Sequence, residues 1–372
     1  MELMNDQHYM RLALQLAAAA HGQTDINPVV GCVVVKDGRI VGTGAHLRRG
    51  GPHAEVHALN MAGIEAEGST VYVTLEPCSH HGRTPPCAER LIADKVSRVV
   101  VATIDPNPLV AGKGVAILRE HGIEVVIGIL EHEARSLNLI FEKYMLTGLP
   151  YVTMKTACSL DGKIATSDGH SKWISNEASR QLVHTMRHQH KAIMVGIETV
   201  LADNPSLNTR LIVPSIQPIR VIVDSKLRIP IDATVVSTAS ENHTIILTTE
   251  LASVQRQTEL EDMGVRIIRC GEGPHVNLQH AMHKLGELEI SSILLEGGGT
   301  LNGAMLEKGL IDQMILFYAP LFIGGKTAPG AVAFEGLSSI SDAVQLEGMS
   351  LQQIENNFCV SGYPSNRWKG EE

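Results

Sequence analysis

Apolar positions along the chain switch repeatedly between helical and strand spacing. An Ala- and Leu-rich stretch from Asp6 to His21 predicts a helix closed by Gly22. Val29 to Val35 and Arg39 to Gly44 are apolar runs separated by Lys36-Asp37-Gly38, which predicts a hairpin. Strands follow at Thr70 to Leu75, Arg98 to Thr103 and Glu124 to Ile127, between helices at His53 to Ala62, Pro86 to Ala93 and Lys113 to His121. A last helix is predicted from Glu131 to Thr147. This order implies an α/β sandwich with a mostly parallel sheet opened by an antiparallel hairpin.

Gly148-Leu149-Pro150 then breaks the pattern, and alternation restarts with a strand at Tyr151 to Lys155. Further strands are predicted at Ala192 to Val195, Ile219 to Val223, Thr244 to Thr248, Val265 to Arg269, Ile293 to Glu296, Gln313 to Phe317 and Phe358 to Ser361. The helices between them are Glu177 to His188, Asn277 to Gly286 and Leu301 to Lys308. The expected organisation is therefore two α/β domains, residues 1–147 and 151–365. A length of 372 residues agrees, being more than one hydrophobic core usually organises.

Composition narrows the class. With 44% apolar and 19% charged residues the chain is neither disordered nor fibrous. A net charge of −9 and only 2 Trp, 6 Tyr and 5 Phe argue against a dedicated nucleic-acid binder. No apolar run is long enough to span a bilayer, and the acidic start followed by Arg11 is unlike a secretory signal. A cytoplasmic protein with no membrane partner is expected. Six cysteines make a poor disulfide framework at this length. Cys158, Cys270 and Cys359 read as apolar side chains, and His188, His190 and His280 as surface residues.

His53-Ala54-Glu55 opens a predicted helix, and Glu76-Pro77-Cys78 and Cys87 follow. One imidazole and two thiolates, His53, Cys78 and Cys87, are the three protein ligands of a catalytic zinc, whose fourth position is kept for water. Glu55 is then placed to take a proton from that water and deliver it to a leaving amine, the logic of hydrolytic deamination. A structural zinc would close with four protein ligands and has no use for Glu55. The absence of Glu directly after His53 excludes the zinc-peptidase pattern that His53 and His57 would otherwise suggest.

The order H-x-E, P-C, C is that of the zinc deaminases, although eight residues rather than two separate the cysteines. The run Glu76 to Cys87, with Asn27-Pro28-Val29-Val30-Gly31 before it and Asp105-Pro106-Asn107-Pro108 after it, closely resembles the deaminase half of the bifunctional riboflavin-biosynthesis RibD (RibG) family. The resemblance implies a cytidine-deaminase-like α/β/α sandwich and substrate contacts at Asn27, His46, His80, Arg83, Thr84, Asp105 and Asn107. Asn27 can both donate to and accept from a pyrimidine edge, and Arg83 suits a phosphate. Turn formation alone would also account for Asn27-Pro28 and Asp105-Pro106.

The second domain has no zinc-type cluster and no G-x-G-x-x-G. Its strand Ile293-Leu294-Leu295-Glu296 runs into Gly297-Gly298-Gly299 and a helix, an arrangement that suits a pyrophosphate or a plain tight connection. The runs Lys155 to Ala165, Gly196 to Arg210 and Val223-Asp224-Ser225 resemble the reductase half of the same family. That implies a dihydrofolate-reductase-like α/β domain and NADPH. Cofactor contacts are implied at Ala157, Trp173, Thr199, Asp203, Ser225, Gly297, Gly298 and Gly299, and substrate contacts at Ser171, Arg187, Leu207, Arg210 and Glu296. Arg187 and Arg210 suit a phosphate, and Glu296 suits ribose hydroxyls, though each could be a solvated charge. Lys155 either assists opening of the ribose ring or blunts an edge strand. Lys226 or Arg228, after Asp224-Ser225, has the charge to meet a cofactor 2′-phosphate.

The expected function is deamination of a diaminopyrimidinone ribosyl 5′-phosphate, then NADPH reduction of its ribosyl group, by a homo-oligomer holding one zinc per deaminase site. Rivals are a tRNA or free-nucleoside deaminase with an appended reductase-like domain of other use, the tRNA version disfavoured by charge and aromatic content, and a non-catalytic nucleotide-binding module, disfavoured by Glu55.

Overall fold

The computed structural model describes residues 4–79, 85–108 and 110–368. Two compact units divide the chain between Thr147 and Gly148. In the first, α1 (Asp6–Ala18) precedes the hairpin β1 (Gly31–Lys36) and β2 (Arg39–Ala45), then α2 (Ala54–Ala62), β3 (Thr70–Val73), α3 (Cys87–Ala93) and β4 (Arg98–Val101). It closes with α4 (Lys113–Glu120), β5 (Glu124–Ile127), α5 (Glu131–Leu137) and α6 (Leu139–Thr147).

The sheet order is β2-β1-β3-β4-β5, with β1 antiparallel to both neighbours and the rest parallel. Asp37 and Gly38 both take positive φ, 48° and 76°, the backbone a two-residue hairpin turn requires. Successive strand residues serve opposite layers. Cys32, Val34, Val71, Val73, Val99 and Val101 pack with Ala58, Leu59, Leu91 and Leu118, whereas Val33, Val35, Tyr72 and Val100 pack with Tyr9, Met10, Ala13 and Ala134. This is the expected α/β/α sandwich. Truncating fully buried Leu59 to Ala would cost about 2–5 kcal/mol. Helix α2 lies close on β2 because a Cβ at Gly44 would sit 2.3 Å from the Ala54 carbonyl oxygen. That close approach sets the height of His53 and Glu55 above the sheet.

Two predicted helices are shorter than expected. The first ends at Ala18, after which Ala20, His21 and Gln23 donate to carbonyls three residues back and tighten the chain into turns. The predicted Glu131–Thr147 helix breaks at Asn138, whose side chain binds the backbone of Val29 instead.

The second unit runs β6 (Tyr151–Ser159), α7 (Glu177–Gln189), β7 (Ala192–Gly196), α8 (Ile197–Asp203), β8 (Ile219–Val223), α9 (Thr234–Ser237) and β9 (Thr244–Thr248). It continues with α10 (Val254–Asp262), β10 (Arg266–Arg269), α11 (Leu278–Glu287), β11 (Ser292–Leu295), α12 (Gly299–Glu307), β12 (Gln313–Ala319), β13 (Leu346–Ile354) and β14 (Asn357–Pro364). The nine-stranded sheet has the order β10-β9-β8-β7-β11-β6-β12-β14-β13, and only the β12-β14 and β14-β13 pairings are antiparallel. Met194, Val221 and Leu295 face one core and Ile193, Val195 and Ile222 the other, so the central strands read as unbroken apolar runs.

Strand β6 lies inside this sheet, which removes the edge-strand reading of Lys155. His190 is not a plain surface residue either. Half-buried, it joins the Met186 carbonyl at 2.7 Å to the Thr153 hydroxyl at 3.0 Å, and His188 accepts from the Ile216 N–H.

Candidate active sites

In the first unit, three elements converge on one point. His53 is the N-cap of α2 and keeps its ring free of any capping bond. Cys87 is the first residue of α3, and its backbone N–H donates to Cys78 Sγ at 3.2 Å. The ring atom His53 Nδ1 lies 3.5 Å from Cys78 Sγ and 3.3 Å from Cys87 Sγ, and the three ligand atoms fall within 4.8 Å of one another. Tetrahedral zinc with ordinary Zn–S and Zn–N bonds holds such atoms about 3.5 Å apart, so the donors fit the metal. Hydrogen bonding from Cys87 and then His53 holds the Cys78 thiol well below its usual range, against the effect of burial. Glu55 is buried beside them, and burial followed by the Cys78 charge pushes its carboxyl up to about 7.

Two of the expected substrate residues meet at this centre. His46 is buried with its ring edge-on to His53 at 5.3 Å; its Nδ1 bonds the Pro52 carbonyl at 3.2 Å and its Nε2 meets Asn27 Nδ2 at 3.1 Å. Nδ1–H therefore donates to Pro52, and Nε2 accepts from Asn27. Asp105 Oδ1 accepts from the Asn107 N–H at 2.9 Å, an Asx turn. His80, Arg83 and Thr84 lie outside the described residues.

Sequence reasoning passed over Glu76. Its buried carboxylate accepts from the backbone N–H groups of Asp105, Gly112 and Val115 at 3.3, 2.8 and 3.1 Å. It thus ties the Cys78 loop to the segment carrying Asp105 and Asn107. Its place directly before Pro77-Cys78 was the available signal.

In the second unit, a cavity of about 1190 Å³ opens above the C-terminal ends of the parallel strands. Thr199, Asp203, Ser225, Gly297, Gly298, Gly299, Ser171 and Glu296 line it, with Lys226 and Arg228. Arg228 is paired with Glu198, while Lys226 has no carboxylate partner among the described residues. The three glycines differ. A Cβ at Gly299 would lie 2.4 Å from the Gly330 carbonyl oxygen, so packing against the chain requires that glycine. At Gly298, the N-cap of α12, the nearest atom to an added Cβ is Thr199 Oγ1 at 3.9 Å. Backbone open to the cavity at a helix N-terminus is what a cofactor pyrophosphate needs, so the residues fit NADPH.

Ala157, Trp173, Arg187, Leu207 and Arg210 fall outside that lining. Ala157 packs against Val183, Phe317 and Ile354, and Leu207 is buried. Trp173 is 70% exposed under the Arg180 guanidinium. Arg187 grips Glu296 through Nε–Oε1 at 2.7 Å and Nη2–Oε2 at 3.0 Å, and Lys155 Nζ stands 3.6 Å from the same carboxylate. Burial alone would raise the Glu296 carboxyl, but Arg187 and then Lys155 hold it at about 2. Burial lowers the Lys155 ammonium below its usual range. Arg210 has no carboxylate partner among the described residues; its Nη1 meets the Asn208 side-chain oxygen and its N–H donates to His184 Nδ1 at 3.2 Å. Gln217, also passed over, pairs with both backbone groups of Thr209 at 2.9 and 3.0 Å and fixes this loop.

Family comparison agrees with both halves. The family described as cytidine and deoxycytidylate deaminase zinc-binding region matches residues 3–103, and that described as RibD C-terminal domain matches residues 150–360. The chain is 47% identical over 359 residues to the riboflavin biosynthesis protein RibD of Actinobacillus pleuropneumoniae, covering 96% of this chain and 95% of the relative. It is 42% identical to RibD of Escherichia coli, covering 96% and 99%. Acinetobacter baumannii RibD superposes with a TM-score of 0.87 at 41% identity, covering 98% of this chain and all of that one. The Thermotoga maritima diaminohydroxyphosphoribosylaminopyrimidine deaminase/5-amino-6-(5-phosphoribosylamino)uracil reductase superposes at 0.84 with 36% identity, covering 96% and 98%. A zinc-type His/Cys/Cys centre in one unit and a glycine-loop cavity in the other, with this likeness along nearly the whole chain, mean that it belongs to the RibD family, bifunctional riboflavin-biosynthesis enzymes that join a zinc-dependent deaminase to an NADPH-dependent reductase.

Proposed function

We propose that the first unit hydrolyses the ring amine of 2,5-diamino-6-ribosylamino-4(3H)-pyrimidinone 5′-phosphate. The second unit then reduces the ribosyl group of the product, 5-amino-6-(5-phosphoribosylamino)uracil, to ribityl. The observation that carries the reading is Glu55: a buried carboxylate two residues from an imidazole that meets two thiols. His53, Cys78 and Cys87 would hold zinc, which when bound lowers the pKa of water toward neutrality. Water adds at the amine-bearing carbon, the C–N bond breaks, and ammonia leaves. Glu55 receives the water proton and returns it to the departing nitrogen. Asn27, with one amide hydrogen given to His46, keeps its carbonyl oxygen and second hydrogen for a pyrimidine edge. Asp105, Asn107, His80, Arg83 and Thr84 complete the substrate site in this reading.

In the second unit Thr199, Asp203, Ser225 and Gly297 to Gly299 would hold NADPH, joined by Ala157 and Trp173; when bound it supplies the hydride for the anomeric carbon. Arg210 takes the substrate phosphate, since its charge is not cancelled, whereas Arg187 orients Glu296 toward the ribose hydroxyls. Ser171 and Leu207 border the same substrate. Lys226 meets the cofactor 2′-phosphate.

The partner is a small molecule rather than nucleic acid or membrane, in keeping with the −9 charge, and among the described residues no helix is long and apolar enough to cross a membrane. Thiol ligands suit a reducing cytoplasm. The exposed apolar side chains Met349 and Leu351 on the edge strand β13 support a homo-oligomer. The deaminase reading is tested with Glu55→Gln in the full chain. Zinc is retained and ammonia release falls at least about a hundredfold; unchanged release overturns it.

A further inference from the structure

Outside both centres, one buried side chain acts directly on the segment that leads from Asn27 into β1. Asn138 fills the break between α5 and α6. Its Nδ2 donates to the Val29 carbonyl at 3.0 Å, and its Oδ1 accepts from the Val29 N–H at 2.8 Å. This is the two-point pairing one strand offers another, supplied here by a side chain 109 residues away. A carboxamide presents a donor and an acceptor together in that way at any pH.

From Val29 the restraint passes to the site. The Val30 carbonyl accepts from the His46 N–H at 2.9 Å, and His46 Nε2 accepts from Asn27 Nδ2 at 3.1 Å. Asn27 is itself held by Thr24, through its N–H at 3.1 Å and its carbonyl at 2.9 Å. Pro28 between them has no N–H to anchor the chain. The Asn27–Val30 segment is therefore fixed at one end by the Thr24 turn and at the other by Asn138.

We infer that Asn138 is a positioning residue for deamination: by clamping Val29 it sets the aim of the Asn27 carboxamide and the orientation of His46, and so the affinity for the pyrimidine. The inference rests on the reading of Asn27 as a pyrimidine contact. Asn138→Ala leaves both Val29 groups without their partner and lets the segment shift, while His53, Cys78, Cys87 and Glu55, on other elements, stay in place.

The test compares Asn27→Ala, Asn138→Ala and the double variant in the full, zinc-loaded chain, with zinc content and NADPH oxidation measured alongside ammonia release. Each single variant raises the deamination KM about five- to tenfold, the worth of one or two hydrogen bonds, with kcat little changed. The double variant adds little, since both remove one shared interaction. Zinc content and the reductase rate stay at the parent values. An unchanged KM in Asn138→Ala, with KM raised in Asn27→Ala, overturns the inference and leaves the reading of Asn27 standing. An unchanged KM in Asn27→Ala overturns that reading and the inference with it. If Asn138→Ala does not hold zinc, Asn138→Asp, which keeps the acceptor for the Val29 N–H, decides by the same KM measurement. Loss of zinc in both variants makes the role purely structural and overturns the inference.

Discussion

Arg187 and Glu296 are bound to each other by two parallel hydrogen bonds, 2.7 and 3.0 Å long, at the margin of the reductase cavity. The two residues read in sequence as separate substrate contacts, a phosphate clamp and a ribose acceptor. Folded, they form one unit, with Lys155 3.6 Å from the carboxylate. Arg210, by contrast, has no carboxylate partner among the described residues.

The pair makes the second unit sensitive to acid. Glu296 is held at about 2, against about 4.3 for a free glutamate. A depressed carboxyl contributes stability that is complete above the unfolded value and is lost as pH falls through the folded one. Between about pH 5 and 1 the unit should lose on the order of 3 kcal/mol, and Glu296→Gln should lack that loss. Trp173 and Trp368, the two tryptophans of the chain, both belong to the second unit and report it by fluorescence. An identical acid limb in the variant would refute the assignment.

Removing the metal should separate the two activities. With zinc stripped by a chelator, or with Cys78→Ser, ammonia release should fall to background. Oxidation of NADPH by supplied 5-amino-6-(5-phosphoribosylamino)uracil should continue at the parent rate. Parallel loss of both would show that the metal supports the whole chain rather than one site.

The glycine loop offers a paired test. Gly298→Ala meets open space and should leave the melting temperature unchanged while weakening NADPH binding about tenfold. Gly299→Ala drives a methyl group to 2.4 Å from the Gly330 carbonyl oxygen and should lower the melting temperature of the second unit by several degrees. Thermal scans and cofactor titration by fluorescence read the two effects. Equal destabilisation by both variants would contradict the division of roles.

Much of this was legible in sequence because the signals are local. The order of strands and helices follows from period and punctuation, and His53, Glu55, Cys78 and Cys87 sit in a spaced pattern whose ligand chemistry is specific. Strand β13 gave no such signal, since nearly all of its residues are exposed and its alternation faces solvent. The polar helix α10 escaped for a similar reason. Asn138 and Gln217 could not be read either. Asn138 acts on backbone groups 109 residues away and Gln217 on a turn of its own loop, and a single amide in a helix break or loop looks like any exposed polar residue until the fold brings its partner near. The mutual cancellation of Arg187 and Glu296, also 109 residues apart, is hidden from sequence by the same distance.

The most direct measurement gives the full, zinc-loaded chain the diaminopyrimidinone ribosyl phosphate, with and without NADPH. Ammonia, NADPH and the pyrimidine products are followed together. Without NADPH, each substrate should release one ammonia and 5-amino-6-(5-phosphoribosylamino)uracil should accumulate. With NADPH, that product should be consumed with one cofactor oxidised per ammonia released, giving the ribityl compound. Oxidation of NADPH that proceeds without ammonia release, or ammonia release with no later oxidation, would contradict the account.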